Sequence, residues 1–214
     1  MKVDIWSDIR CPFCYIGKRK FEMALQEFDQ KNEVEVIWHS FELDPQAQTM
    51  PNGDMYDHLA KVKGQTREWS IKMHEHVTNL AKEVGLDYDF DKAIIANSFN
   101  AHRLIQFAKT KNLGDVAKER LLKAYFTEGK NIDDKKTLID LGIEIGLNKI
   151  EVEQVINSDA FTKNVRDDEE QARQIGVTGV PFFVFDQKFA VSGAQDPKVF
   201  LDTLQKVWNE KEKI

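Results

Sequence analysis

A Cys-x-x-Cys placed where a strand pattern gives way to a helix pattern constrains this chain more than any other feature. Ser7-Asp8-Ile9-Arg10-Cys11-Pro12-Phe13-Cys14-Tyr15-Ile16-Gly17-Lys18 contains the only two cysteines in 214 residues. Upstream, Val3-Asp4-Ile5-Trp6-Ser7 reads as a buried strand. Downstream, Cys14, Phe21, Leu25 and Phe28, with Gly17 and Ala24 as small fillers, recur at three- and four-residue intervals and predict a helix from Pro12 to Phe28. Cys11 then occupies the first turn, where unsatisfied N–H groups and the positive end of the helix dipole favour a thiolate. Cys14 lies one turn deeper on the apolar face, which Cys11 does not share, and is near enough to close a disulfide with it. Pro12 fits the first turn, where its missing N–H costs nothing. The pattern points to Cys11 as an attacking nucleophile and Cys14 as the thiol that resolves a mixed disulfide.

Blander uses of two cysteines fit less well. Closing so short a loop would stabilise the fold by only about 2 kcal/mol on the loop-entropy model, and a chain of this length can bury a core without it. A zinc site needs four ligands, and His39, His58, His74, His76 and His102 offer no pair at the usual spacing, so no metal is expected. The net charge of −6, with no basic stripe beyond Lys18-Arg19-Lys20, argues against nucleic-acid and membrane partners. Met1-Lys2 runs straight into the first strand without an apolar leader-like stretch, so the expected location is the cytoplasm. There, two cysteines beside a βα unit suggest catalysis or sensing.

The order of patterns gives the architecture. Val34 to Phe41 is a second strand, parallel to the first because a helix connects them. Asp44-Pro45 and Pro51-Asn52-Gly53 end this βαβ unit. From about Asp54 to Ile175 only helical periodicity follows. Trp69, Met73, Val77, Leu80 and Val84 form a stripe closed by Gly85, and helices are predicted over Asp91 to Lys111 and Asp115 to Phe126. Leu138, Leu141 and Ile145 mark another helix, Asn148 with Glu151 forms a capping box, and Phe161, Val165, Ala172 and Ile175 line the last helix of this region. Strands return at Val180 to Phe185 and Lys188 to Ser192 around an Asp186-Gln187 turn. Asp196 and Pro197 then start a helix that buries Phe200, Leu204 and Val207, with Trp208 as a further candidate. The fold class is α/β, with a discontinuous domain over residues 1–50 and 176–214 and a helical insertion over 51–175.

This layout resembles the DsbA family of thioredoxin-fold proteins, and within it the FrnE-like cytoplasmic branch. Six collinear segments carry the resemblance: Ser7-Asp8 with Cys11 to Lys18, Ser40 to Pro45, Ala101-His102-Arg103-Leu104, Ala124 to Gly129, Gly176 to Phe182, and Ser192-Gly193-Ala194-Gln195. The resemblance implies a thioredoxin-like fold with an inserted all-helical domain. It also implies a cis-proline at Pro181 beside the Cys11–Cys14 pair, with the backbone of Val180 exposed to pair with an extended substrate segment. Pro12 and Phe13 would join Val180 in the substrate-binding surface. The implied activity is thiol–disulfide exchange, reduction or isomerisation of protein or small-molecule disulfides and dithiols. No bound cofactor is implied; glutathione or another low-molecular-weight thiol is a candidate co-substrate. Because Phe13 cannot stabilise a thiolate by charge as a histidine can, the pair is expected to be less oxidising than that of DsbA. Its potential is expected within the window of about −120 to −270 mV spanned by DsbA and thioredoxin.

One departure concerns the buried acid that thioredoxin-like folds often carry six positions before the nucleophile, where this chain has Ile5. Asp8 is read as satisfying backbone N–H groups in the turn, with a direct catalytic role related to that of the missing acid as the alternative. Asn97, Asn100, His102 and Arg103 are read as a polar or hydrogen-bonded helix face, with a substrate-groove role as the alternative. Asp167-Asp168-Glu169-Glu170 is read as a solvated face. Two other functions compete. Hydroxychromene-carboxylate isomerases and kappa-class glutathione transferases resemble this chain in the insert and around Pro181, but typically carry serine at the first motif position. A redox-gated binding module is the third reading, and it leaves the joint presence of Cys11, Cys14 and Pro181 without a purpose.

Overall fold

The computed structural model describes residues 1–211. In chain order the elements are β1 (Lys2–Ser7), α1 (Pro12–Glu27), β2 (Glu35–Ser40), α2 (Met55–Lys63), α3 (Arg67–Glu83), α4 (Phe99–Lys109) and α5 (Gly114–Phe126). They continue with α6 (Lys135–Glu144), α7 (Lys149–Ile156), α8 (Thr162–Gln174), β3 (Phe182–Phe185), β4 (Phe189–Ser192) and α9 (Pro197–Lys211). Two compact units result, one from residues 1–43 and 166–214 and one from residues 44–165. These boundaries fall seven and ten residues earlier than the predicted 50/51 and 175/176, because Arg166 to Gln174 of α8 packs with the sheet.

The sheet has the order β2-β1-β3-β4, with β1 parallel to β2 and antiparallel to β3. Side chains alternate across it. Val3 and Ile5 of β1 join Phe183 and Phe185 of β3, and α1 and α9 cover that face with Phe21, Ala24, Phe200 and Leu204. Phe21, Phe183, Phe185 and Phe200 are at most 2% exposed, and burying each such ring is worth about 1.5–3 kcal/mol. The opposite face presents Trp6, Phe182 and Val184, packed with Ala172 and Val177. Ile5 therefore lies in an apolar core where a carboxylate would have to be desolvated.

The second unit is helical. Ala101 to Ala108 of α4 are all buried. Thr66, Asp134 and Asn148 cap α3, α6 and α7 by accepting backbone N–H groups. Two predicted boundaries and one predicted stripe shift. The helix predicted from Asp91 starts at Phe99, because Ile95 bridges to Met50, its carbonyl accepting the Met50 N–H at 2.8 Å, and the Asn97 side chain takes the Phe99 N–H. The stripe on α3 is rotated, with Ser70, His74, Val77 and Ala81 buried. Ile175, predicted inside its helix stripe, follows α8 and is 49% exposed.

Candidate functional site

Three backbone segments of the sheet unit converge on Cys11. The turn after β1 presents it first: Cys11 is extended at φ −89°, ψ 112° and is the N-cap of α1, whose first residue is Pro12. The Cys11 N–H bonds the Asp8 carbonyl at 3.3 Å, and the Cys11 carbonyl accepts the Cys14 N–H at 3.0 Å. The loop before β3 comes second, and the Cys11 thiol donates to the Val180 carbonyl at 3.3 Å. The Val180–Pro181 peptide bond is cis. The turn after β4 is third, where the Gly193 N–H bonds the Pro181 carbonyl at 2.8 Å.

Gly17 makes this convergence possible. A Cβ there would stand 2.8 Å from Pro181 Cγ, so the proline ring seats against α1 only because residue 17 has no side chain. Glycine inside a helix costs about 1 kcal/mol relative to alanine, and its place one turn after Cys14 was a sequence signal of close approach that a reading as mere filler missed.

Cys11 and Cys14 are free thiols, 4% and 1% exposed, so the expectation that only Cys14 is buried is corrected. Phe13, between them, is 39% exposed, and Pro12 is partly exposed. The electrostatics also correct the expected thiolate. The Cys11 thiol is held well above its ordinary value by its hydrogen bond with Cys14, then by burial and by negative charge on Cys14 and Asp8; only the Cys14 N–H acts in the other direction. In this resting arrangement the proton stays on sulfur, with Val180 O as its acceptor.

Asp8 is fully buried and serves the local backbone: it accepts the Arg10 N–H at 3.2 Å and the Leu43 N–H at 2.9 Å. Just beyond β2, the Glu42 side chain is fully buried and bonds Arg166 at 2.6 Å. Burial, helped by the negative charge of Glu169, raises its carboxyl to about 7 against the pull of Arg166.

The opposite sheet face holds a cluster not anticipated from the sequence. His39 Nε2 lies 2.7 Å from Asp4 Oδ1, and His39 Nδ1 lies 2.8 Å from Asp168 Oδ1. Trp6 stacks on the imidazole with centroids 4.4 Å apart and donates its indole N–H to the Asp168 carbonyl, while Asp168 Oδ2 accepts the Ser40 N–H at 2.7 Å. Asp168 is 7% exposed, which overturns the solvated-face reading for this residue, while Asp167 and Glu170 are exposed as expected. The signal was available, since Asp168 falls between Val165 and Ala172 on the same three-four stripe. Burial would raise the Asp4 carboxyl, but its bonds to His39 and Lys2 win and lower it.

Asn97, Asn100, His102 and Arg103 lie in the helical unit. Asn97 precedes α4 and donates to the Ala47 carbonyl at 3.2 Å. Asn100 bonds Asp133 and accepts from Arg103. The Arg103 guanidinium binds the carbonyls of Val155, Ser158 and Ala160, compensating the C-terminal carbonyls of α7. His102 is buried.

A four-stranded mixed sheet backed by α1 and α9, with a Cys-x-x-Cys at the N-terminus of α1 and a proline loop against it, defines the thioredoxin-like class. A family model described as DSBA-like thioredoxin domain matches residues 2–205, and the chain belongs to that family. The crystal structure of a "probable DsbA oxidoreductase" from Streptomyces coelicolor superposes with a TM-score of 0.93 at 35% identity, covering 98% of this chain and 91% of that one. The cytosolic disulfide reductase DsbM of Pseudomonas aeruginosa, solved with GSH, gives 0.70 at 18% identity over 98% and 100% of the two chains. A 2-hydroxychromene-2-carboxylate isomerase gives 0.72 at 13% over 100% and 98%. The last two show the fold alone, and it is a fold that carries either chemistry. Among the described residues, no helix is long and apolar enough to cross a membrane.

Proposed function

We propose that this DsbA-like protein is a thiol–disulfide oxidoreductase of the cytoplasm whose redox couple is Cys11–Cys14. The observation that carries the reading is the 3.3 Å contact from Cys11 Sγ to the Val180 carbonyl, which puts the nucleophile and a free-standing backbone acceptor at one point. An extended substrate segment that pairs with Val180 brings its own N–H to that carbonyl and takes it from the thiol. Freed from that acceptor, the Cys11 thiol gives its proton to solvent. Its thiolate attacks a substrate sulfur, a mixed disulfide forms, and the departing sulfur leaves as a thiolate that takes up a proton. Cys14 next attacks Cys11 Sγ, giving the Cys11–Cys14 disulfide and a reduced substrate. Run backwards, the sequence oxidises a dithiol. Protein and low-molecular-weight disulfides are the substrates, no bound cofactor is needed, and glutathione restores the dithiol by the same exchange.

The test is the redox equilibrium of the pair in graded glutathione buffers, scored by mass after thiol trapping. The expected result is a reversible two-electron transition between about −270 and −120 mV. If no intramolecular disulfide forms at any poise, the exchange reading is lost and a glutathione-dependent isomerase or transferase takes its place. Phe13→His is expected to raise the midpoint, by on the order of 30 mV; an unchanged or lower midpoint counts against the tuning role of Phe13.

A further inference from the structure

The helical unit contains a cavity of about 540 Å³ that the thiol chemistry does not use. Its wall is aromatic. His74 of α3 stands edge-on to Tyr56 and to Phe90, with centroids 4.9 and 4.5 Å apart, and Tyr88 is edge-on to Phe90 at 5.7 Å. Its rim is acidic, with Glu75, Asp87, Asp89 and Asp91 set against Lys82 and Lys92. Asp89 is paired with Lys92 at 2.7 Å. Asp91 accepts the Tyr56 hydroxyl at 2.7 Å; burial and that bond push the Tyr56 phenol up to about 12, so it remains a donor.

The imidazole identifies what the cavity lacks. His74 is 7% exposed, and its Nδ1 lies 2.8 Å from the Ser70 carbonyl. A carbonyl oxygen only accepts, so the proton is on Nδ1, directed back to its own helix. Nε2, on the far edge of the ring, is left as a lone pair on the cavity side with no hydrogen-bond partner. Burial holds the imidazole below its ordinary 6.5, which keeps it an acceptor at neutral pH. A ligand that brings an N–H can take this acceptor in place of solvent. A rim with four carboxylates against two lysines favours a cation, and the volume suits a small molecule or one side chain.

We propose that this cavity binds a protonated primary amine, which donates an N–H to His74 Nε2 while its charge is met by the acidic rim and its alkyl chain lies along Tyr88 and Phe90. A free diamine and the lysine side chain of a polypeptide share this chemistry.

The experiment is calorimetric titration of the full-length protein at pH 7.5 with 1,5-diaminopentane, with Nα-acetyl-lysine amide, and with uncharged 1,5-pentanediol. Saturable binding of an ammonium probe and none of the diol is expected, and the tighter of the two ammonium probes identifies the source. His74→Phe is expected to weaken binding at least tenfold. Asp91→Asn, an exposed position that keeps an acceptor for Tyr56, is expected to weaken it several-fold and carries the test if His74→Phe lowers thermal stability. Absence of saturable amine binding, equal binding of the diol, or unchanged affinity in the folded variants overturns the proposal.

Discussion

On the face of the sheet covered by α1, that helix rests on Val3, Ile5, Phe183 and Phe185, with no acid on that side of β1; on the other face, Asp4, His39 and Asp168 form a chain of hydrogen bonds at 2.7 and 2.8 Å. Alternation along β1 separates them, since Ile5 points one way and Asp4 and Trp6 the other. The cysteine pair thus has few ionisable neighbours, Asp8 being the charge that weighs on Cys11, whereas the charges that anchor α8 to β1 and β2 are kept behind the sheet. One face carries the cysteine pair, and the other holds an element in place by a hydrogen-bonded cluster. A buried acid at Ile5 would have merged the two roles.

The largest expected effect is on the redox face. Cys11→Ser is expected to lower disulfide-exchange activity at least ~10³-fold while leaving folding free energy within about 1 kcal/mol of wild type, measured by an insulin-type reduction assay and urea titration. Cys14→Ser should instead accumulate a mixed disulfide on Cys11, visible by mass. Behind the sheet the balance reverses. Asp168→Ala leaves His39 and the Ser40 N–H short of a partner and is expected to cost about 3 kcal/mol of stability, with the redox midpoint of the folded protein unmoved; a shifted midpoint would break the separation of the faces.

Proton linkage sharpens the comparison. Glu42 has a folded value of about 7, above its ordinary 4.5, so its contribution is fully present below about 4.5 and is lost as pH rises through about 7. That loss is on the order of 3 kcal/mol, and urea titrations at pH 5 and 8 should show Glu42→Gln removing most of it. Asp4 behaves oppositely: its folded value is lowered from 3.8, so its contribution is present above 3.8 and disappears as pH falls through the folded value. Asp4→Asn should therefore lower stability at neutral pH and flatten the acid limb. The smallest expected effect is that of Gly17→Ala, at about 1–3 kcal/mol from overpacking against Pro181. Because the clash lies within the site, exchange rate should fall along with stability; a rate at the wild-type level would show that the seat of Pro181 is not coupled to Cys11.

What could be read in advance follows from how each feature is encoded. The parallel β1–β2 pair, the hairpin after Pro181 and the buried Phe200, Leu204 and Val207 are written in local alternation and periodicity. Cys11 and Cys14 are written in eight or so contiguous residues. The Asp4–His39–Asp168 cluster is spread over three segments, and a run of four acids makes Asp168 resemble a solvated charge until its stripe is counted. The state of the Cys11 thiol departs from expectation for a related reason: helix position favours the thiolate, but the hydrogen bond with Cys14, burial and the negative charges of Cys14 and Asp8 outweigh it, and none of these is written in helix periodicity. The start of α4 was misplaced because Asp91 to Asn97 has helical composition while the backbone of Ile95 is already engaged by Met50.

The convergence of chain ends at Cys11 has a consequence in time. A ribosome adding about 5–20 residues per second delivers Val180 and Pro181 roughly 10–30 s after Cys11. Until β3 docks beside β1, the nascent chain carries a dithiol with neither the Val180 carbonyl nor the Pro181 loop beside it. During that interval any oxidant or thiol of the surroundings can reach both sulfurs, so the growing chain meets the redox state of its compartment before it is able to act on it.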